Sequence, residues 1–236
     1  MRLVKTRQRI LKKADITDNL RVDVYKFIEA SYNLSGKEFT VRNKSATDVV
    51  QEQIVRVAKY LPKNSTVIDI GCGAGIYSAF LGILGHKVVG IDISSTQLAS
   101  AKQNNHLETV KFVRANILNV PFAPRSIDFF FVNSMFHYIM KVDRVLFLMQ
   151  LKKALSSHGR ILLITRIHPE SYEAFVTDDK LGRETKRYVA RSSQEELEEV
   201  FNATGLYWEL IYTQPHEVTN GGVFVNYLLM HKGEGV

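Results

Sequence analysis

The residues with the clearest potential for chemistry are an acid and three glycines at alternate positions, Asp69 followed by Gly71, Gly73 and Gly75. Glycine tolerates positive φ and lets a ligand approach backbone N–H groups closely, while a carboxylate accepts a hydrogen bond from a cationic group. The spacing differs from the G-x-G-x-x-G of dinucleotide sites, because the last glycine of that pattern falls on Ile76. The pattern predicts a turn that binds a ligand with a positively charged end; a tight turn without a ligand is the alternative.

A second acid, Asp92, ends the apolar segment Lys87–Asp92, about twenty residues past the glycines. In a βαβ nucleoside site, a carboxylate at this point accepts hydrogen bonds from ribose hydroxyls. A simple strand-end or capping acid is the alternative. We therefore predict that Asp92 binds the sugar of a nucleoside-like ligand.

The elements that must position these acids alternate between buried strands and helices. A β-branched run at Val67–Ile70 precedes the glycines and is typical of a strand buried on both faces, and Ile76–Leu84 follows with helical spacing. Ser193–Glu196 is a capping box for a later helix, which Gly205 ends. Further strands are predicted over Lys87–Asp92, Val110–Arg114, Asp128–Val132, Arg160–Thr165, Leu206–Thr213 and Val223–Met230. This order predicts an α/β fold.

The first sixty residues are predicted to be helical and to lie outside this alternation. One amphipathic helix is predicted around Val22–Ala30, ending near Asn33–Gly36, and a second from Thr47 to Tyr60. A polar loop is predicted between them, over Lys37–Ser45.

Composition narrows the class of protein. The chain has 236 residues, 45% hydrophobic and 23% charged, which suits one globular domain with a small addition. A single cysteine, Cys72, rules out an intrachain disulfide, and the sequence has no apolar run of the ~20 residues needed to cross a bilayer. These features favour a cytoplasmic protein without membrane partners. We expect no metal, because no Cys/His cluster has ligand spacing.

The net charge of +7 is concentrated at the start of the chain, where six basic residues precede the first acid, Asp15. Such a cluster can bind phosphates, and a solvated helix face or frayed terminus is the alternative. The six are Arg2, Lys5, Arg7, Arg9, Lys12 and Lys13.

The pattern Asp-x-Gly-x-Gly-x-Gly resembles motif I of the class I S-adenosylmethionine (SAM)-dependent methyltransferases, and the resemblance extends over about residues 60–232. It implies a seven-stranded, mostly parallel sheet with an antiparallel last strand and helices on both faces. It also implies an N-terminal helical lid over residues 1–60 and a methyltransferase core over residues 61–236. In this family the segment after the fifth strand commonly builds the acceptor pocket, which places an acceptor-site insertion at about residues 166–191. A disordered loop is the alternative for that insertion.

The same resemblance implies a set of contacts to SAM, whose product is S-adenosylhomocysteine (SAH). The glycine turn and Asp69 hold the methionine end, and Asp92 holds the ribose. The turn contributes Gly71, Cys72, Gly73 and Gly75, with Cys72 as a small filler. Asn116 stands where the family commonly has Asp and accepts the bond from the adenine amino group, with Ile93 and Ile117 sandwiching the ring. Asn133 lies beside the reactive sulfonium.

The sequence assigns residues to the acceptor less specifically than it assigns residues to SAM. His137 is a candidate general base or acceptor-binding group, and shaping the pocket is its alternative role. Tyr25 and Tyr32 could face the ligand or pack in the core, and Arg166 and His168 belong to the segment that would build the acceptor pocket.

The implied function is transfer of a methyl group from SAM to a small-molecule acceptor by in-line displacement. A tRNA or rRNA methyltransferase is the first alternative, because of the basic start of the chain. A non-catalytic SAM-binding subunit is the second. The acceptor atom and the oligomeric state remain open at this stage.

Overall fold

The computed structural model describes residues 9–11, 17–43, 47–59, 61–178, 185–214 and 222–233. Within these ranges the helices are α1 (Asp18–Asn43), α2 (Thr47–Ala58), α3 (Ile76–Ile83), α4 (Ser95–Asn104), α5 (Arg144–Ala154) and α6 (Gln194–Thr204). The strands are β1 (Arg9–Leu11), β2 (Thr66–Ile70), β3 (Lys87–Asp92), β4 (Val110–Arg114), β5 (Ile127–Asn133), β6 (Leu155–Ile167), β7 (Tyr172–Asp178), β8 (Thr185–Arg191), β9 (Tyr207–Gln214) and β10 (Val223–Met230).

The central feature is a seven-stranded sheet with the order β4-β3-β2-β5-β6-β10-β9. The first five strands in this order pair in parallel, and β10 pairs antiparallel with both β6 and β9. This arrangement confirms the predicted fold class. Because all four parallel pairings place the carboxyl ends of β2, β3, β4, β5 and β6 at one edge, residues that follow these strands meet there.

Helices cover both faces of this sheet, as expected for parallel strands. The middle strand shows the two layers most clearly, since Phe129, Phe130 and Phe131 are all fully buried. Phe130 packs in the cluster formed with α5 and α6, and its two neighbours pack in the cluster formed with α2 and α3. Burial of each side chain contributes about 1.5–3 kcal/mol to folding, which makes β5 a rigid support for the residues at its carboxyl end.

A second, three-stranded sheet has the order β1-β7-β8, and all its pairings are antiparallel. The segment that we expected as an insertion or a disordered loop, residues 166–191, therefore forms a hairpin in its described part. Its buried side chains share a core with Val24 and Ile28 of α1. The expectation that residues 1–60 are helical was wrong for Arg9–Leu11, because these residues pair with β7.

The small sheet is fixed to the large one at the ends of β6 and β8. Ile167 forms a parallel bridge with Ser192, and the His168 N–H donates to the Ser192 carbonyl at 2.8 Å. This junction brings the end of β8 to the same edge of the large sheet as the ends of β2, β3 and β5.

Two local predictions were wrong. Helix α1 continues through Gly36 to Asn43, so the polar loop expected at Lys37–Ser45 is helical as far as Asn43. Each added residue of an existing helix gains a backbone hydrogen bond, and this gain outweighs weak local preferences. Ser156–Gly159 follows an amphipathic helix and precedes an apolar run, a position that predicts a turn. It belongs instead to β6, where a register shift against β5 absorbs three extra residues.

Several other predictions fall partly outside the described residues. The sequence Asn220–Gly222 is typical of a turn between two strands, but only Gly222 of it is described. Of the six N-terminal basic residues, only the backbone of Arg9 is described. Among the helices described, none is long and apolar enough to cross a bilayer.

Candidate functional site

A cavity of about 660 Å³ lies at the carboxyl edge of the parallel strands. Its volume is in the range of about 300–1,000 Å³ that is usual for small-molecule sites. The wall contains every residue that the sequence placed at the site except Gly75: Tyr25, Tyr32, Asp69, Gly71, Cys72, Gly73, Asp92, Ile93, Asn116, Ile117, Asn133, His137, Arg166 and His168. The two halves of the predicted site, for cofactor and for acceptor, therefore face one continuous space.

The glycine turn between β2 and α3 needs glycine for its backbone. The φ angles of Gly71, Gly73 and Gly75 are 72°, 52° and 76°, in the left-handed region that other residues rarely adopt. A Cβ on Gly71 would also lie 2.6 Å from the Cγ of Met135. The Gly71 and Cys72 N–H groups donate to the Ile91 carbonyl at 2.8 and 3.1 Å, so the turn is held against β3.

Asp92 stands at the end of β3 and connects two parts of the cavity wall. Its Oδ2 accepts from the Gly73 N–H at 2.9 Å and its Oδ1 accepts from the Ser94 N–H at 2.8 Å. Burial raises the pKa of this carboxyl, and the backbone donors partly offset the increase. Each carboxylate oxygen keeps a further acceptor position, so Asp92 can fix the glycine turn and also accept from ligand hydroxyls.

Asp69, the fourth residue of β2, is 2% exposed and accepts from the Ser78 Oγ of α3 at 2.5 Å. Burial raises its pKa to about 7, and the negative charge of Asp92 adds to the increase. A cationic ligand group beside it would favour the ionised form. The pKa of Asp69 therefore lies near neutral pH, where a small change in pH or a bound cation changes the charge of its carboxyl group.

The expected adenine side combines apolar and polar surface. Ile117 is buried, Ile93 is partly buried, and both line the cavity. Asn116 also lines the cavity, and its Oδ1 accepts from the Leu118 N–H at 3.1 Å and so caps a short 3₁₀ turn. The amide oxygen has a second lone pair for a ligand donor. The assignment of these three residues to adenine stays a prediction.

Cys72 is buried in the turn, and burial raises the pKa of its thiol well above the ordinary value. A thiol kept protonated is a poor nucleophile. This environment agrees with its expected role as a small filler.

Asn133 is the last residue of β5, and His137 lies in the 3₁₀ turn just beyond it. The Oδ1 of Asn133 accepts from the Ser134 hydroxyl at 3.1 Å. The Nδ1 of His137 is buried and has no hydrogen-bond partner among the described residues. Burial, followed by the charge of Arg187, lowers the pKa of His137 to about 3. A neutral imidazole of this kind can hydrogen-bond an acceptor, but it holds a proton too weakly to serve as an efficient base near neutral pH.

Tyr25 and Tyr32 line the cavity and also make contacts within the protein. The Tyr25 hydroxyl donates to Asp143 Oδ2 at 2.7 Å and accepts from the Met140 N–H at 3.2 Å, so its polar end is engaged in the protein. Tyr32 packs edge-on against Tyr138, with ring centroids 5.3 Å apart. Both therefore have structural contacts in addition to their cavity surface.

Sequence reasoning missed two arginines of the cavity wall, Arg187 and Arg191 on β8. With Val189 they follow the period-two pattern of one strand face, and this alternation was the available signal. It was missed because the segment was not predicted as a strand. Met135, Tyr77 and Gln97 also line the cavity without having been predicted.

Comparison with known proteins agrees with this architecture. Residues 68–163 match a family described as a methyltransferase domain. Over 109 residues the chain is 30% identical to the biotin biosynthesis bifunctional protein BioHC of Cellvibrio japonicus, covering 45% of this chain and 21% of that protein. Over 88 residues it is 34% identical to an uncharacterized RNA methyltransferase of Bacillus cereus, covering 37% and 19%. The matches thus span about a fifth of these relatives' length.

Among solved structures, 1,6-didemethyltoxoflavin-N1-methyltransferase of Burkholderia thailandensis has a TM-score of 0.70 with this chain. The superposition covers 97% of this chain and 96% of that one, at 15% sequence identity. That structure contains 1,6-didemethyltoxoflavin and S-adenosylhomocysteine. At this identity the similarity establishes a shared fold over nearly the whole length.

Proposed function

Because the chain belongs to the class I SAM-dependent methyltransferases, a family of enzymes that use SAM as cofactor, we propose that it methylates a small-molecule acceptor. One observation carries the proposal. A single cavity joins a glycine turn, the buried Asp69 and the partly buried Asp92 at one end to His137 and Arg166 at the other. An acceptor bound at the second end would lie next to a cofactor bound at the first.

The residues at the first end suit SAM. Asp69 would face its ammonium group, Asp92 its ribose hydroxyls, and Asn116 with Ile93 and Ile117 its adenine. When bound, SAM supplies a methyl group on a positively charged sulfur, which is already a strong electrophile. The protein's part is then to hold the acceptor close to this methyl group and to exclude water, and such positioning alone can supply about 7–11 kcal/mol of the barrier.

The cofactor end also supports an enzyme over a non-catalytic subunit, since its acids and glycine turn are intact. We further propose that residues 1–60 act as a lid on a core of residues 61–236. Helix α1 contributes Tyr25, Ile28 and Tyr32 to the cavity wall, which is the contact expected of a lid.

Calorimetric titration with SAM and SAH tests the first step. We expect saturable binding of both ligands below the millimolar range. Methyl transfer is then measured with SAM labelled on its methyl group, by recovery of label in the small-molecule fraction of a cell extract. Absence of binding at millimolar SAM would contradict the proposal and favour a scaffold role.

An RNA methyltransferase is the second candidate, favoured by the six basic residues at the start of the chain. Binding of an RNA oligonucleotide at physiological salt separates the two, because phosphate contacts by these residues would produce a strongly salt-dependent affinity. We expect negligible affinity and no label transferred to RNA. Tight binding, with label recovered in RNA, would replace the small-molecule proposal.

Asp69 predicts a pH dependence of SAM binding. Its pKa of about 7 means that the carboxyl loses its charge as the pH falls below that value. We expect SAM affinity to drop about tenfold between about pH 7.5 and about pH 5.5. Asp69→Asn should bind weakly, without this pH dependence. In Ser78→Ala the pKa should rise further, because the Ser78 hydrogen bond lowers it, so the loss of affinity should begin at higher pH.

The raised pKa of Asp69 also makes the free energy of unfolding depend on pH. The folded protein keeps a proton on Asp69 up to about pH 7, whereas the unfolded chain releases it near the ordinary value of 3.8. Stability should therefore fall as the pH rises between these values, by up to about 1.4 kcal/mol per pH unit from this group. Asp69→Asn should remove this component, so it should unfold at higher denaturant than the wild type near pH 8. An unchanged slope in the variant would contradict the raised pKa.

A further inference from the structure

The end of the cavity away from the glycine turn is lined by arginines on two strands. Arg187 and Arg191 lie on one face of β8, and Arg166 lies near the end of β6. The bridge between Ile167 and Ser192 brings these two strand ends together. Arg191 consequently acts electrostatically on Arg166 and lowers its pKa, after the larger effect of burial.

Two side-chain donors of Arg166 have no partner among the residues that the structure describes. Its Nε and Nη2 atoms are buried, and neither has a hydrogen-bond partner among the described residues. Its guanidinium carbon lies 5.6 Å from the centre of the Phe224 ring, so one side of the group contacts an aromatic surface. A buried donor without a partner costs roughly 1–3 kcal/mol, and more when the group is charged. Such a group is retained at this cost where a ligand completes its hydrogen bonds.

Gly222 packs directly against Arg166 and His168. A Cβ at this position would lie 2.7 Å from Arg166 Nε and 2.7 Å from His168 Cε1. A side chain at residue 222 would therefore displace Arg166 or His168, so glycine lets both side chains keep these positions. His168 itself lines the cavity beside Arg166.

No acid among the described residues lines this end of the cavity. Of the described residues that line it, the acids are Asp69 and Asp92, and both lie at the glycine-turn end. Among the described side chains, neither Arg166 nor Arg191 forms an ion pair with an acid. These two arginines thus bring positive charge to the acceptor end without an acidic partner in the described wall.

We propose that the acceptor is a small molecule with a carboxylate or phosphate group, and that Arg166 and Arg191 bind this group. The proposal deepens the proposed function and rests on it, since it concerns the acceptor of the same site. A guanidinium presents paired N–H donors that match the two oxygens of such anions, which makes arginine more selective here than a lysine would be.

The histidines of the site agree with this assignment. Burial and the neighbouring arginines lower the pKa of His168 to about 4 and that of His137 to about 3, so both are neutral near pH 7. Neither can take a proton efficiently from an acceptor. A carboxylate or phosphate oxygen is already ionised at this pH, so an acceptor that reacts through it needs no base. An amine or phenol acceptor would need one.

Binding of small probes to the SAH-loaded protein tests the proposal. The probes are acetate, methylphosphonate and acetamide, which has nearly the shape of acetate without its charge. Binding is followed at constant ionic strength by the NMR signals of the histidine rings. We expect both anions to bind at least about tenfold more tightly than acetamide. We also expect them to raise the pKa of His168, because they neutralise the adjacent arginines.

Substitutions locate the anion. Arg166→Gln should weaken anion binding at least about tenfold and leave SAH affinity unchanged. Arg191→Gln should weaken it in the same direction, which keeps the test valid if one variant folds poorly. Arg160→Gln is the matched control, because Arg160 lies on the same strand but donates to the His158 and Gly159 carbonyls at the opposite end. It should bind anions like the wild type.

Failure of the anion proposal can be distinguished from failure of the proposed function. Equal binding of acetate and acetamide, or equal effects of Arg160→Gln and Arg166→Gln, would overturn the anion proposal while SAH binding leaves the proposed function intact. Loss of SAH binding by the wild-type protein would overturn the proposed function, and with it the acceptor role of any anion bound. An RNA oligonucleotide that displaces methylphosphonate would overturn the assignment to a small molecule.

Discussion

Asp92→Ala is expected to weaken SAM binding by about 10- to 100-fold, with the fold retained. The carboxylate would hold the ribose through charge-assisted hydrogen bonds, each of which contributes about 1.5–3 kcal/mol. It also accepts from the Gly73 N–H at 2.9 Å, so its removal loosens the turn that faces the methionine end. Isothermal titration calorimetry with SAM measures the effect, and circular dichroism checks the fold.

Two further variants distinguish the possible causes of a loss of SAM affinity. Asp92→Asn keeps the shape and one acceptor oxygen, so an intermediate loss would identify the negative charge as a contributor. Asp128→Asn is the control at the opposite end of the sheet, where Asp128 accepts from the Thr66 N–H at 2.8 Å and from Ser156 Oγ at 2.9 Å. It should lower stability and leave SAM affinity unchanged. If Asp92→Ala bound SAM like the wild type, the ribose assignment would be wrong.

Arg144→Met is expected to reduce the free energy of unfolding by about 3–5 kcal/mol. Arg144, the first residue of α5, is 1% exposed and donates to the carbonyls of Ile139 at 3.2 Å and Ala190 at 2.6 Å, and to Ser192 Oγ. Methionine fills much of the same volume but leaves these acceptors buried without donors. Denaturant unfolding measures the loss.

The position of these acceptors gives the variant a second expected consequence. Ala190 and Ser192 lie at the end of β8, so Arg144 fastens the small sheet to α5. Its loss should weaken anion binding at Arg191 more than SAM binding at the glycine turn. Lys153→Ala, an exposed position on the same helix, is the control and should change stability by less than about 0.5 kcal/mol. A loss below about 1 kcal/mol for Arg144→Met would contradict the structural role.

Much of the cofactor end was predictable from the sequence, because its signals are local. Gly71, Gly73 and Gly75 occur together within one turn, and their positive φ angles are the property that glycine supplies. Asp92 ends a buried strand, and Ser193 caps the helix at which it was expected. The strands of the parallel sheet were also found, since buried β-branched runs between helices are a strong pattern.

The acceptor end was less predictable, because its residues come together through contacts that are distant in sequence. β7 and β8 have no strongly apolar run, and they become a sheet only by pairing with each other and with β1. From the sequence alone, Arg187 and Arg191 are two charged residues in a polar segment, and nothing local indicates that they line a cavity. The lowered pKa of His137 likewise depends on its burial and on arginines that other elements supply.

The sequence by itself determined the fold class, the glycine turn and the acids next to it, because backbone conformation and strand burial depend on residues close together in the chain. Only the tertiary structure decided which charges share the cavity, that two buried donors of Arg166 have no partner among the described residues, and that the pKa of Asp69 lies near neutral pH. Those properties depend on burial and on long-range Coulomb interactions, and both are set by how the two sheets pack.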